Sequence, residues 1–169
     1  MGKRFPLRPS LRRLKSMTVI EQVKRVCFGV NIESREGLHQ NVMNELEKLF
    51  IKGGYIVCRE YPIRFDSIAR KSGERISRNG YVDMVAIKDG HRIAIEFDSG
   101  VNLKFKSIEK LFQIDADLCI GIVRGKSEKL GFCLEKIVKL VEEFNFPVEN
   151  FWVISLAEKE TCNVSGHIG

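Results

Sequence analysis

The stretch GYVDMVAIKDGHRIAIEFDSG, residues 80–100, limits the fold more than any other part of this chain. Two short, mostly apolar runs, Tyr81 to Lys88 and Arg92 to Asp98, are separated by Asp89-Gly90. Asp-Gly tolerates the positive φ angles of a two-residue turn, so the stretch specifies an antiparallel hairpin. Strands this apolar must be covered, which calls for more sheet and for helices packed on it. The same strands nevertheless carry Asp83, Glu96 and Asp98. Side chains alternate between faces along a strand, so Glu96 and Asp98 are neighbours on one face, about 7 Å apart. Asp83 shares its face with Tyr81, Val85 and Ile87. Carboxylates held together repel by about 1 to 4 kcal/mol per close pair. A hard divalent cation such as Mg²⁺ or Mn²⁺ offsets that repulsion. Hydrated acids at a solvent-facing hairpin end are the plainer alternative; three acids on adjacent strands favour the metal.

The flanking sequence supplies the rest of an α/β fold. Thr18 to Phe28 has Ile20, Val23 and Cys27 at helical spacing. A second helix is expected after Ser34 as N-cap, with Leu38, Val42, Leu46 and Leu49 as its apolar stripe and Gly53-Gly54 as its end. Tyr55 to Tyr61 reads as a strand, and the polar segment from Arg64 to Gly80 as a long loop or hairpin extension with Gly73 at its tip. Phe105 to Ile114 is helical by pattern. Asp117 to Val123 is a continuous apolar strand, hence covered on both faces. A helix carrying Leu134, Ile137, Val138 and Val141 stops before Pro147, and Phe151 to Leu156 is a last strand. The order is α, α-β-β-β-α-β, α-β, a mixed central sheet flanked by helices.

At 169 residues the chain has the length of one domain. We expect that domain at residues 18–158, with a basic, flexible arm at 1–17 and a polar tail at 159–169. The net charge of +6 suits an anionic partner, and it is concentrated before Glu21. That basic head lacks the apolar core of a secretory signal. Pro6 and Pro9 also spoil the amphipathic helix of a mitochondrial presequence, so a plain arm, or a start upstream of Met17, is the preferred reading. No apolar run is long enough to span a bilayer. The five cysteines include no CxxC pair, so neither a zinc site nor a redox pair is signalled, and a reducing, cytoplasmic setting is expected.

Two further features bear on function. Glu45 falls within the apolar stripe of its helix at 100° per residue. It is either a buried acid facing the sheet or an edge residue with its tip in water. The segment Arg64 to Gly80 has a basic surplus, with Arg70, Lys71, Arg75 and Arg78 placed to follow a nucleic-acid backbone. The sequence GIVRGKS at 121–127 has one residue too few between its glycines for a phosphate-binding P-loop, and reads instead as the end of a buried strand.

The order α-β-β-β-α-β, with an acid on the helix, Asp83 on the second strand and Glu96-x-Asp98 on the third, resembles the PD-(D/E)xK nuclease superfamily. The resemblance spans roughly Glu36 to Arg124, and its motif is short. It implies a restriction-endonuclease-like core with an added C-terminal helix and strand. It further implies a Mg²⁺- or Mn²⁺-dependent endonuclease acting on DNA, including branched or damaged DNA, and a homodimer, as many relatives are. Asp83 and Glu96 would be the metal-ligating acids and Glu45 the helix acid. Val82 replaces the usual proline, and Asp98 stands where the motif has lysine, as a third metal ligand. A lysine of the next helix, Lys110 ahead of Lys106, would then take the vacated role, with Lys104 and Lys106 contacting nucleic acid. The alternative is a module that keeps the fold and binds or assembles on nucleic acid without cutting it.

Overall fold

The Asp89-Gly90 turn forms with both residues at positive φ, 50° and 74°. It joins a strand over Arg75–Lys88 to one over His91–Asp98 in the antiparallel register Met84↔Ile95 to Lys88↔His91. The computed structural model describes residues 10–69, 71–125, 130–144 and 150–164. In chain order these form α1 (Ser10–Gly29), α2 (Leu38–Lys52), β1 (Ile56–Ile68), β2 (Arg75–Lys88), β3 (His91–Asp98), α3 (Phe105–Gln113), β4 (Leu118–Val123), α4 (Leu130–Phe144), β5 (Phe151–Ser155) and β6 (Glu160–Asn163). The strands build one mixed sheet in the order β1-β2-β3-β4-β5-β6. β3, β4 and β5 are parallel; the other pairs are antiparallel.

Each sheet face is covered by helices, and strand alternation assigns the residues. Met84, Ala86, Ile93, Ile95, Phe97, Ile120 and Ile122 pack with α1 and α2, including Val23, Val42, Met43 and Leu46. Val85, Ala94, Cys119 and Val153 face Ile108 and Leu111 of α3 and Ile137 and Val141 of α4. Gly121 sits in β4 beside Glu96 because no side chain fits there. A Cβ at this position would overlap Leu103 Cδ1 and stand 3.2 and 3.3 Å from Cδ2 and Cγ. Leu103 is fully buried and cannot swing away.

Several boundaries differ from the sequence expectation. The segment 64–80 is a true hairpin extension, paired from Ile56↔Ile87 out to Ile68↔Arg75, with Gly73 (φ 68°) in its turn. Alternation resets midway along it. Glu60 adopts φ 49° and is skipped, with Asp83, in the β1–β2 register. Beyond that point Val82, Tyr61 and Ile63 pack on the α3–α4 side. At α2 the N-cap is Gly37 in the left-handed region, not Ser34. The expected arm is helical from Ser10, and residues 1–9 lie outside the described residues. The expected polar tail contributes β6, paired with β5 from Trp152↔Asn163 to Ser155↔Glu160; residues 165–169 lie outside the described residues. Pro147, expected to follow the end of α4, does as well. Among the described residues no helix is long and apolar enough to cross a membrane.

Replacing Gly121 with alanine forces Leu103 into an already filled core. Overpacking of this kind costs about 1 to 3 kcal/mol. Urea denaturation of Gly121→Ala is expected to show that loss, whereas a midpoint equal to the parent's would contradict the tight Gly121–Leu103 contact.

Candidate active site

The β2–β3 ladder ends at Met84↔Ile95, and one step further Asp83 and Glu96 stand opposite each other. Asp83 replaces the missing backbone pairing with its side chain: Oδ2 accepts the Phe97 N–H at 2.8 Å. The same oxygen lies 3.3 Å from His39 Nε2, at the start of α2. The His39 ring also packs edge-on against Phe97, with centroids 5.4 Å apart. Burial opposes ionisation of Asp83, but the His39 and Phe97 hydrogen bonds and the charges of His39 and Lys110 outweigh it. Its carboxyl therefore sits below the usual aspartate range. The hydrogen bond to Asp83 correspondingly raises His39, against the effect of burial.

Glu96 is nearly fully enclosed, with 3 % of its side chain exposed. Lys110 of α3 reaches it, placing Nζ 2.5 Å from Glu96 Oε1 and 2.7 Å from the Tyr81 carbonyl oxygen, to which it donates. The lysine stem runs past Gly80, whose hypothetical Cβ would lie 3.7 Å from Lys110 Cδ. The two groups form a close ion pair drawn almost wholly out of water. Burial first, then the Asp83 charge, push the Glu96 carboxyl up to about 7; Lys110 partly counters them.

The third expected acid is engaged differently. Asp98 is buried, but its Oδ2 accepts the Lys104 N–H at 2.7 Å and its Oδ1 lies 3.8 Å from Lys104 Nζ. It closes the loop that leads into α3. Among the described residues no group of three or more His, Cys, Asp or Glu side chains converges as a metal site. Of the three expected acids, Asp83 and Glu96 stand opposite each other, and Asp98 turns to the loop before α3. Glu45 is also corrected: it is half exposed on the outer face of α2 and pairs with Lys48 at 2.9 Å. The buried stripe is Leu38, Val42, Met43, Leu46 and Phe50, which turns Glu45 away and His39 inward. The sequence expectation did not include His39 in the site. Its i+3 and i+4 spacing to Val42 and Met43 was the available signal.

A groove leads away from Lys110 between α3 and the β1–β2 hairpin. A cavity of about 390 Å³ is lined by Phe65, Arg78, Lys106 and Lys110. It shares Arg78 and Lys106 with a larger one of about 790 Å³, which also includes Lys104 and Glu109. The larger cavity contains none of the three strand acids; Lys110, which reaches Glu96, lines the smaller one. Of the basic residues expected on nucleic acid, Arg78, Lys104 and Lys106 line this groove. Lys71 and Arg75 are exposed at the hairpin's far end, and Arg70 lies outside the described residues. Compared with known protein families and with curated proteins, the sequence matches none.

The raised Glu96 acid has a consequence for stability. Between the ordinary glutamate value of 4.5 and about 7, the folded chain holds a proton that the unfolded chain has released. Folding stability contributed by this group therefore falls as pH rises through that window and stays low above it. Glu96→Gln removes the titration. In metal-free buffer the variant is expected to gain melting temperature over the parent at pH 8 and to gain little at pH 4.5. Equal differences at both pH values would contradict the buried, strained carboxylate.

Proposed function

We propose that this chain is a Mg²⁺-dependent nuclease of the PD-(D/E)xK type that hydrolyses phosphodiester bonds in DNA. The observation that carries the reading is Lys110: an ammonium delivered from α3 onto Glu96, beside Asp83, where the strand itself offers Asp98 instead of lysine. The donor set fits the metal. Mg²⁺ commonly takes one or two carboxylates and completes its shell with water and substrate phosphate. Asp83 and Glu96 supply two carboxylates side by side at the end of the ladder, with the Lys110 ammonium beside them on Glu96 Oε1. When bound, the metal would supply Lewis-acid stabilisation of charge on the phosphoryl oxygens.

The chain's own groups do the remainder. The Phe97 N–H and His39 fix Asp83 in orientation and keep it ionised. Glu96 and the Tyr81 carbonyl hold Lys110 Nζ, leaving an ammonium donor for the attacking water or a phosphoryl oxygen. Arg78, Lys104 and Lys106 line the approach and attract the backbone of the nucleic acid. Water oxygen forms the new bond to phosphorus as one ester P–O bond breaks; the water gives up a proton to solvent and the leaving oxygen takes one from solvent.

A second reading, a nucleic-acid-binding module without cleavage, is favoured by one observation: Asp98 is committed to its loop and Glu96 is already neutralised by Lys110. Incubation with linear, supercoiled and branched DNA, with and without Mg²⁺ or Mn²⁺, separates the two. Metal-dependent cleavage supports the nuclease; salt-sensitive binding without cleavage supports the module.

The two groove lysines then divide by role. Lys110→Met is expected to lower cleavage about a hundredfold, the scale of one lost electrostatic stabiliser, while DNA affinity barely changes. Lys106→Met is expected to weaken binding and to flatten the slope of log K against log salt by about 0.9 if it loses one duplex phosphate contact. Parental cleavage by Lys110→Met would remove it from the chemistry.

A further inference from the structure

Outward from Glu60 and Asp83, the β1–β2 hairpin has two unlike faces. One packs on the α3–α4 side through Tyr61, Ile63 and Val82, and there the buried Phe65 ring fills the space over Gly80. The other points away from α3 and carries Pro62, Arg64, Ser77, Asn79 and Tyr81, all exposed. Pro62 is the cross-strand partner of Tyr81, and Arg64 that of Asn79. Arg64 and Tyr81 are therefore diagonal neighbours, within reach of long and aromatic side chains. Tyr81 leaves 62 % of its surface in water. Its backbone, by contrast, is fixed by pairing with Pro62 and by its carbonyl oxygen, which accepts Lys110 Nζ at 2.7 Å. Arg64 Nε donates to Ser77 Oγ at 2.8 Å, which holds the guanidinium on the same face. Arg75, two residues beyond Ser77, adds a second positive charge against the single acid Asp66. The face also adjoins the site. Asp83 follows Tyr81 by two residues, about 7 Å along the strand, and meets His39 on the side away from α3.

We infer that this face is a platform for single-stranded DNA, with one base stacked on the Tyr81 ring and a neighbouring phosphate on Arg64. The inference rests on the nucleic-acid reading of the chain and names the form of substrate it takes: an unpaired strand beside the acids. A base has a π-face whatever its identity, so an exposed aromatic ring binds unpaired bases without reading sequence. In a duplex those faces are already covered by neighbouring bases, and the ring could meet only the sugar–phosphate edge. A guanidinium matches phosphate geometry with two parallel N–H donors. Ring and guanidinium stand side by side here on a rigid, paired strand, so little ordering is needed when the strand arrives. A base on Tyr81 brings the adjoining backbone towards Asp83 and Lys110, where the proposed chemistry lies.

The test measures binding of a labelled oligodeoxythymidine, and of a duplex of equal length, by fluorescence anisotropy in metal-free buffer. Tyr81→Ala in the full chain is expected to weaken single-strand binding by about five- to a hundredfold, the range for one lost base–aromatic stack. Duplex affinity is expected to stay near the parent's. Tyr81→Phe keeps the ring and is expected to bind the single strand like the parent. Neither substitution touches the carbonyl that holds Lys110, and both are expected to keep the parent's circular dichroism. Failure of the parent to bind the single strand overturns the inference, as does parental single-strand binding by Tyr81→Ala. An equal loss on duplex and single strand, or a Tyr81→Phe as weak as Tyr81→Ala, overturns it too. Cleavage with Mg²⁺ is scored separately. A ring-dependent single-strand affinity without cleavage upholds the platform and sinks the nuclease, and cleavage without that dependence does the reverse.

Discussion

A lysine ammonium and a glutamate carboxylate, both drawn out of water at the broken end of a β-ladder, organise the site. Removing two charges from solvent is unfavourable, and their attraction recovers the loss only with good geometry and additional hydrogen bonds. Here the recovery is incomplete. Lys110 is held by Glu96 and by the Tyr81 carbonyl, yet Glu96 remains pushed up to about 7 by burial and by Asp83. Much of the fold serves this arrangement. Gly80 makes room for the Phe65 ring, Gly121 leaves room for Leu103 above β4, and Glu60 takes a left-handed conformation opposite Asp83. A non-glycine residue at positive φ is strained, and such strain persists where neighbouring structure over-determines it.

The sheet was legible in the sequence because its signals are local and redundant. Asp89-Gly90, the alternation of β3 and the continuous apolar run of β4 each demand one local structure, and together they define a mixed sheet. Lys110 was legible for a related reason. Ile108 and Leu111 must face the sheet, which carries the neighbouring lysine along the same helix to the acids. The failures share a different cause. Glu45 and His39 are separated by less than two turns of α2, and the apolar stripe is wide enough that sequence could not say which edge meets the sheet. Tertiary packing decides it, through Met43 and Phe50. The surroundings of Asp98 were not legible: its parity with Glu96 can be read from the strand, but the loop that returns to offer it the Lys104 N–H has no sequence signature.

The electrostatics divide the protein's surface by task. Asp83 and Glu96 stand at the end of the β2–β3 ladder, where they are buried and coupled. Cations line the groove that leads there, from Lys104 through Lys106 and Arg78. Under the proposed function, a polyanion drawn along that groove would meet Lys110 before the carboxylates.

Calorimetric titration of Mn²⁺ into the DNA-free chain tests the central claim, that Asp83 and Glu96 form the cation site and Asp98 does not. The account predicts binding that Glu96→Ala weakens strongly and that Asp98→Asn, which can still accept the Lys104 N–H, leaves nearly intact. Undiminished Mn²⁺ affinity in Glu96→Ala would contradict it.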